Sequence, residues 1–149
     1  MSANLHLADA ADLDRLEPMI AAYHAEAGVE STEESRRAGL APLLGGSPHG
    51  AAYLIGPARS PIGYIVVTFG WSLEFGGLDG FVDELYLRRA VRGRGIATEV
   101  LSTLPKALAS GGVRAMHLEV GQDNDIAIRL YKRAGFRPRK GRMLMSRKL

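Results

Sequence analysis

Apolar residues recur along the first part of the chain at the three- to four-residue spacing that is typical of an amphipathic helix. The positions on this stripe are Leu13, Leu16, Ile20, Tyr23 and Ala27. Asp9 or Asp12 can cap the helix at its start, and Gly28 follows the last apolar position as a stop signal. The pattern therefore predicts a first helix over about residues 13–27.

Three further segments have helical character. Thr32 opens a second, weaker helix that reaches about Leu44. The segment 95–109 carries its apolar residues on one stripe, which predicts a third helix. A fourth helix covers about residues 125–134 and stops at Gly135, since glycine is a common helix terminator.

Seven short runs are predicted to be strands, because they are apolar or alternating and are bounded by turn residues. They cover residues 5–7, 51–55, 62–69, 81–87, 115–120, 136–138 and 143–146. The second and third runs are joined across residues 56–61, which predicts a hairpin. The segment 70–80 contains four glycines and predicts either a loop or a broken hairpin end.

The order of these elements predicts one mixed α/β domain over residues 1–149. A helix separates the strand at 81–87 from the strand at 115–120, so these two can pair in parallel through a crossover. No repeat and no long linker divides the chain. With 149 residues, 46% of them hydrophobic, the chain can build a single core.

The glycine-rich stretch Arg92-Gly93-Arg94-Gly95-Ile96-Ala97 lies between the strand at 81–87 and the third helix. A helix N-terminus presents free N–H groups with partial positive charge, and glycines let the backbone come close to a ligand. Arginines at positions 88, 89, 92 and 94 add donors suited to phosphate oxygens. The stretch therefore predicts a site for a phosphate-bearing ligand. It lacks the Gly-Lys-Ser/Thr of a Walker A loop, and Thr98 breaks the dinucleotide-binding fingerprint.

The charge of the chain is divided unevenly between its two parts. Residues 1–87 contain 12 acidic and 4 basic residues, a net −8, whereas residues 88–149 contain 4 acidic and 15 basic residues, a net +11. This asymmetry favours an anionic ligand on the second part and a cationic ligand near the first. A basic tail alone can also contact nucleic acid, but no RNA-recognition signature or aromatic-basic interleaving supports that alternative.

The composition excludes several classes of site. The chain has no cysteine, so disulfides, thiolate zinc sites and a cysteine nucleophile are ruled out, and its histidines show no metal-ligand spacing. No apolar run approaches membrane-spanning length, and the first four residues lack the features of a signal peptide. We therefore expect a cytoplasmic protein with no membrane or nucleic-acid partner and no bound metal.

Two motifs in the right order give the chain a resemblance to the GNAT superfamily of N-acetyltransferases. Arg92, Gly95 and Ala97 match the Gln/Arg-x-x-Gly-x-Gly/Ala turn of that family, and residues 84–87 resemble the strand before it. Residues 124–136, with Asn-x-x-Ala followed by Leu-Tyr and Gly-Phe, resemble the second cofactor motif. The resemblance covers residues 81–136, whereas residues 9–50 match no pattern that we can name.

The resemblance implies acetyl-CoA as the co-substrate, with its pyrophosphate on the turn and its pantetheine arm beside residues 85–87. The cofactor-binding residues that it implies are Leu85, Tyr86, Leu87, Arg92, Gly93, Arg94, Gly95, Ile96, Ala97, Thr98, Asn124 and Tyr131. It also implies a mixed, largely antiparallel twisted sheet of six to seven strands, flanked by about four helices. The sheet would splay between its fourth and fifth strands, leaving residues 85–87 without a partner on one edge.

Amine acetylation requires a base for the ammonium proton and an acid for the leaving thiolate, because a free amine has a pKa near ~10. Glu84, directly or through a water, is the candidate base, with Asp83 beside it. Adjacent residues of a regular strand face opposite sides, so only a bulge would bring both carboxylates into one cleft. Otherwise one of them is a solvated carboxylate or the partner of an arginine. Tyr131 is the candidate acid from its place in the family motif, and the alternative is a core aromatic.

Five other residues carry weaker expectations. His24 and Glu26, on the first helix, could touch an acceptor, although surface positions are the simpler interpretation. Trp71, Glu74 and Phe75 precede the Glu84 strand and could wall the acceptor pocket.

We therefore expect acetyl transfer from acetyl-CoA to a primary amine by direct attack in a ternary complex. The acidic first part of the chain favours a cationic small molecule, and the Asp83–Glu84 pair resembles the paired carboxylates of diamine acetyltransferases. One alternative is acetylation of a peptide or protein N-terminus or lysine. Another is a CoA-binding regulatory module without turnover. Assembly as a homodimer stays open.

Overall fold

One mixed sheet, with its strands in chain order, lies at the centre of the computed structural model, which describes residues 4–149. Residues 1–3, part of the stretch considered for a signal peptide, lie outside the described residues. The five strands are β1 (Leu5–Leu7), β2 (Gly50–Ile55), β3 (Gly63–Ser72), β4 (Gly77–Leu87) and β5 (Ala115–Leu118). Strands β1 to β4 pair antiparallel, and β5 joins β4 in parallel through a helical crossover.

Four helices cover the two faces of this sheet. They are α1 (Leu13–Ala27), α2 (Glu33–Leu44), α3 (Ile96–Ser110) and α4 (Asp125–Arg133), with short 3₁₀ turns at Ala10–Asp12 and Arg89–Val91. The apolar stripes of α1 and α2 pack on one face, around the buried Leu16, Leu54 and Tyr64. The stripe of α3 packs on the other face, around Ile65 and Val100, with α4 beside it. Helices α1 and α3 thus bury the stripes that their sequence period predicts, because burial of apolar surface is the main stabilising term.

The predicted helices and the first five predicted strands are confirmed, with ends moved by a few residues. The segment 70–80, left between a loop and a broken hairpin end, is mostly strand. It extends β3 to Ser72 and begins β4 at Gly77, so these two strands form one long hairpin with a tight turn between them. Within residues 4–149, no helix is long and apolar enough to cross a membrane.

The expected count of six to seven strands is wrong for the described residues, because the predicted strands at 136–138 and 143–146 are absent. Pro138 cannot donate to a ladder, and closely spaced basic residues surround it. Arg139 donates instead to the Glu74 carboxylate of the β3–β4 turn, at 2.8 Å. Met143 and Met145 are consequently exposed rather than packed on the sheet.

A β-bulge in β4 determines how the site is built. Val66 pairs with Glu84 and Val67 pairs with Val82, so Asp83 is an extra residue opposite the β3 strand. In a regular strand residues 82 and 84 would face the same side, whereas here Val82 packs in the α3 core and Glu84 faces α1. Pairing of β4 with β5 also ends at Val82, immediately before the bulge. The sheet therefore opens between its fourth and fifth strands from residue 83 onward, as the resemblance implied.

Candidate functional site

The Glu84 carboxylate is held from two sides at the opening of the sheet. His24 of α1 places its Nε2 2.6 Å from Glu84 Oε2, and the Tyr64 hydroxyl of β3 donates to Oε1 at 2.8 Å. Tyr64 is fully buried, and both His24 and Glu84 are largely shielded from solvent. Burial next to the Glu84 charge raises the pKa of Tyr64 far above its usual range, so this hydroxyl remains a donor. Glu84 is thus a fixed carboxylate in a mostly aromatic surrounding.

Asp83, the bulged residue, lies beside Glu84 with an exposed side chain. Partial burial of its carboxyl group, followed by the charges of Glu84 and Glu119, raises the pKa of Asp83, while His24 opposes this rise. The bulge therefore gathers three carboxylates, those of Asp83, Glu84 and Glu119, near the end of β5. Such a group attracts a cation and also makes Asp83 a better proton acceptor than an ordinary aspartate.

Three tyrosines surround the buried side of Glu84. The rings of Tyr23 and Tyr64 meet edge to face at 6.5 Å, as do those of Tyr23 and Tyr86, and the Tyr64 and Tyr86 centroids are 5.9 Å apart. Burial, then the charge of Glu84, raises the pKa of Tyr23, and Tyr131 and Asp83 add to the shift. Tyr23 therefore packs against Tyr64 and Tyr86 and lies within electrostatic reach of Glu84.

The glycine-rich turn has the conformation that the sequence predicts. Gly93 and Gly95 have φ values of 77° and 79°, which only glycine adopts without strain, and a Cβ at either position would point into open space. Gly95 is the N-cap of α3, with no side chain to satisfy the first N–H groups of the helix. The turn thus presents free backbone donors at the positive end of a helix dipole, which is a general arrangement for binding anions.

Arg92, at the start of this turn, is fixed by both the strand and α1. Its Nε donates to the Leu87 carbonyl at 2.8 Å, and its guanidinium lies 5.5 Å from the centroid of the Tyr86 ring. Its Nη2 donates to both oxygens of Glu26, at 3.0 and 2.8 Å, and Arg89 adds a longer contact of 3.3 Å. The hydrogen bond from Arg92 is the main cause of a lowered pKa of Glu26. Glu26 is therefore a neighbour of the turn, where Arg92 and Arg89 hold its carboxylate.

The β5-side edge of β4 is open beside this turn. Ladder pairs between β4 and β5 cover residues 79–82 only, so among the described residues no strand pairs with Leu85 to Leu87 on that side. Asn124 caps α4, with its Oδ1 accepting from the Ala127 N–H at 3.2 Å. An extended ligand along β4 would find unpaired backbone groups there.

Tyr131, on α4, lies on the α3 side of the sheet and packs edge to face on Phe136 at 6.4 Å. Burial raises the pKa of Tyr131, so the hydroxyl keeps its proton through neutral and mildly alkaline pH. The structure brings this residue close enough to Tyr23 for the two ionisations to interact. Tyr131 and Glu84 thus flank the opening from the α4 side and the α1 side.

Three residues expected near the acceptor lie elsewhere. Trp71, Glu74 and Phe75 are at the turn of the β3–β4 hairpin, at the far end of β4 from Glu84. Glu84 pairs with Val66, and β3 continues from there to Ser72, which at about 3.3 Å of rise per strand residue is about 20 Å. The Glu74 carboxylate accepts a hydrogen bond from Arg139, and Trp71 is exposed. These residues do not form a wall beside Glu84.

Sequence reasoning missed three residues of the site. Tyr23 was counted only as an apolar position of the α1 stripe, and Tyr64 only as part of a strand. His24 was given a surface position, yet its side chain is 14% exposed and contacts Glu84. The only sequence signal for His24 is its position directly after Tyr23, at the edge of the buried stripe of α1.

Among the described residues, no group of three or more acidic or histidine side chains could hold a metal ion.

Comparisons with known proteins agree with this geometry. Residues 16–136 match the Acetyltransferase (GNAT) family. An integron cassette protein from the mobile metagenome of Cole Harbour Salt Marsh has 34% identity, a TM-score of 0.82, and coverage of 97% of this chain and 90% of its own.

Two more distant structures share the fold. An aminoglycoside antibiotic 6'-N-acetyltransferase from Acinetobacter haemolyticus has 17% identity and a TM-score of 0.78, covering 98% of this chain and 99% of its own. A ribosomal-protein-alanine N-acetyltransferase from Brucella melitensis has 16% identity and a TM-score of 0.77, covering 99% and 100%. The family match spans most of the chain and includes the sheet opening and the glycine turn, and the protein therefore belongs to the GNAT family of acetyltransferases.

Proposed function

We propose that this acetyltransferase moves an acetyl group from acetyl-CoA to the primary amine of a cationic small molecule. The observation that carries the proposal is the carboxylate pair Asp83–Glu84, which the bulge turns into the opening of the sheet. The candidate base Glu84, the negative charge of Asp83 and the unpaired edge of β4 then lie close together. In the GNAT family acetyl-CoA supplies the acetyl group as an activated thioester.

The residues on the page fit acetyl-CoA. The turn from Arg92 to Thr98 offers free N–H groups, two glycines with open space above them and a helix N-terminus for a pyrophosphate. The open edge of Leu85, Tyr86 and Leu87 offers backbone groups to the amides of a pantetheine arm, and Asn124 at the start of α4 would contribute a side-chain amide. The remaining turn residues that would take part are Gly93, Arg94, Gly95, Ile96 and Ala97.

Replacing Gly95 by valine tests the turn. The φ of 79° strains a β-branched residue by about 1–3 kcal/mol, and the new side chain would occupy the space above the turn. We expect acetyl-CoA affinity, measured by calorimetry, to fall at least about tenfold in the folded variant. Gly46→Val is the matched control, since Gly46 has a φ of 94° and open space but lies in the loop after α2. Unchanged affinity in folded Gly95→Val would remove the turn from the site.

The chain's own residues supply the proton transfers. Glu84 takes the ammonium proton, directly or through a water, since each oxygen keeps a free lone pair beside its bond to His24 or Tyr64. The neutral amine then attacks the thioester carbonyl directly: the C–N bond forms, the C–S bond breaks, and the second N–H proton of the attacking nitrogen leaves to solvent. Tyr131 gives its proton to the departing thiolate, a role that requires a hydroxyl still protonated at the working pH. The exposed Asp83 attracts the acceptor and assists the base.

The charges near Glu84 favour a cationic acceptor more specifically than the net charge of −8 over residues 1–87 does. Several acidic residues of that part are held by arginines, as Glu17 is by Arg36 and Glu26 by Arg92. Burial, followed by the charges of Glu84 and Glu119, instead raises the pKa of Asp83, so negative charge is not neutralised by an arginine there. The attraction for a cation is therefore concentrated at the place where the amine must bind.

Turnover on a panel of acceptors tests this proposal. We expect polyamines and aminoglycosides to be acetylated with higher kcat/KM than neutral amino acids or peptides. Asp83→Asn should raise KM for a polycation about fivefold, as the loss of one partly exposed charge interaction of about 1 kcal/mol predicts, with less effect on a monoamine. A preference for anionic amines would overturn the cationic assignment. A preference for peptides would favour the N-terminal or lysine acetyltransferase, and absence of turnover on every amine would favour a binding module.

A further inference from the structure

We propose that His24 is a positioning residue, which fixes the Glu84 carboxylate and sets the lower end of the pH range in which it acts as a base. This inference rests on the proposed function, because it assigns a partner to the base of that reaction. The sequence indicated either a contact with an acceptor or, more simply, a surface residue at this position, and no link to Glu84.

The geometry around His24 leaves little freedom to the imidazole ring. Its Nε2 lies 2.6 Å from Glu84 Oε2, and its Nδ1 lies 2.7 Å from the Ser31 hydroxyl oxygen. Both ring nitrogens therefore have a partner, and the side chain is 14% exposed. Because Tyr64 holds the other oxygen of Glu84, the carboxylate plane is defined by two donors from two different elements.

The Ser31 hydroxyl allows the contact between His24 and Glu84 to persist whether the imidazole is neutral or protonated. Arg36 can only donate, and its Nη1 donates to the Ser31 hydroxyl oxygen at 3.0 Å. When His24 is neutral, Nε2–H donates to Glu84 and the Ser31 hydroxyl donates to Nδ1. When His24 is protonated, Nδ1–H donates to Ser31 instead, so only the hydroxyl hydrogen needs to turn. The imidazole can gain or lose a proton without breaking its contact with Glu84.

The groups that face His24 come from three elements and one loop. They are Tyr23 of α1, Glu84 and Asp83 of β4, Ser31 before α2, and Arg36 of α2 with its partner Glu17. Arg36 is neutralised by Glu17 at 2.7 Å, so its charge has little net effect on the ring. The carboxylates of Glu84 and Asp83 are then the remaining charges beside the ring. A positive charge in contact with a carboxylate favours its ionised form over its protonated form.

The first test is the pH dependence of kcat in His24→Gln. Glutamine can still donate a hydrogen bond to Glu84, but it carries no charge at any pH. We expect the acid limb of the kcat profile to move up by at least about half a pH unit, with KM for acetyl-CoA unchanged. His49→Gln is the matched control, because His49 is exposed in a distant loop, and its profile should match the parent. A His24→Gln profile that is lower in amplitude but unmoved along the pH axis would overturn the proposal.

The second test needs no turnover, so that it separates failure of this inference from failure of the proposed function. A double-mutant cycle of His24→Gln and Glu84→Gln is measured by urea unfolding at pH 5.5 and pH 8. We expect the two substitutions to be coupled, with a coupling factor in the unfolding constant at least about threefold larger at pH 5.5, because a histidine with an ordinary pKa of about 6.5 is mostly charged there. If the coupling shows this pH dependence but the protein acetylates no amine, the proposed function is wrong and the role of His24 beside Glu84 stands. Additive effects at both pH values would overturn the role of His24.

Discussion

Replacing Tyr131 by phenylalanine should lower kcat by about 10²–10⁴ and leave the fold and acetyl-CoA affinity unchanged. The ring packs on Phe136 through its edge, and phenylalanine keeps that contact while removing only the hydroxyl. Because burial raises the pKa of Tyr131 above its ordinary value of about 10, the hydroxyl is protonated across the range from pH 6 to pH 9. The loss of rate should therefore be the same at every pH in that range.

Glu84→Gln is the comparison that separates the acid from the base. Glutamine keeps the size of the side chain but cannot take the ammonium proton, so kcat/KM should also fall. In this variant, however, the rate should recover as pH rises, since alkali supplies the free amine that the base would otherwise produce.

Steady-state kinetics of both variants from pH 6 to pH 9 provide the measurement, with calorimetry of acetyl-CoA as the check on the fold. A Tyr131→Phe protein that turns over like the parent would make Tyr131 a core aromatic, with water as the acid. A Glu84→Gln protein without recovery at high pH would show that Glu84 does more than remove a proton.

Replacing Arg36 by methionine should destabilise the protein by about 3 kcal/mol. Its Nε donates to Glu17 Oε1 at 2.7 Å, and Glu17 is 6% exposed, which makes it the buried charged residue of the α1–α2 layer. Without Arg36, the Glu17 carboxylate has no partner in an apolar surrounding of Leu16, Met19 and Leu40, and the desolvation cost is not offset.

Arg37→Met is the matched control, because Arg37 is the next residue of the same helix and pairs with Asp14 and Glu33 at the surface. Exposed pairs contribute little to stability, so this variant should unfold at nearly the same urea concentration as the parent. Replacing Glu17 and Arg36 together by methionine should recover most of the lost stability, since apolar residues of similar size can replace a buried ion pair.

Urea unfolding at pH 7 measures the free energy of unfolding of the three variants. Equal losses in Arg36→Met and Arg37→Met would mean that the Glu17–Arg36 pair is as well solvated as a surface pair. A double variant less stable than Arg36→Met would show that the pair itself stabilises the fold.

The sequence alone determined the features that depend on local spacing. The stripes of α1 and α3 follow from the helical period, and each helix buries the side that the stripe predicts. The turn at Gly93 and Gly95 follows from residue type, because a positive φ before a helix calls for glycine. The order of the elements and the two motifs were sufficient to indicate the family.

Contacts between distant segments were not encoded in any local pattern. The link between Glu84 and His24 joins residues 60 positions apart, and that between Arg92 and Glu26 joins residues 66 apart. Alternation along the C-terminal segment predicted strands, but a strand exists only where a partner ladder is formed, and the described chain provides none there.

The side of the sheet toward which Glu84 points was likewise decided by the tertiary structure. Strand periodicity would place residues 82 and 84 on the same side of the sheet, with Asp83 on the other. The pairing of β3 with β4 leaves Asp83 as an extra residue, which turns Glu84 toward α1 and ends the β4–β5 ladder at Val82. A one-residue change of register reverses the facing of every later side chain, and only the long-range pairing of two strands can fix that register.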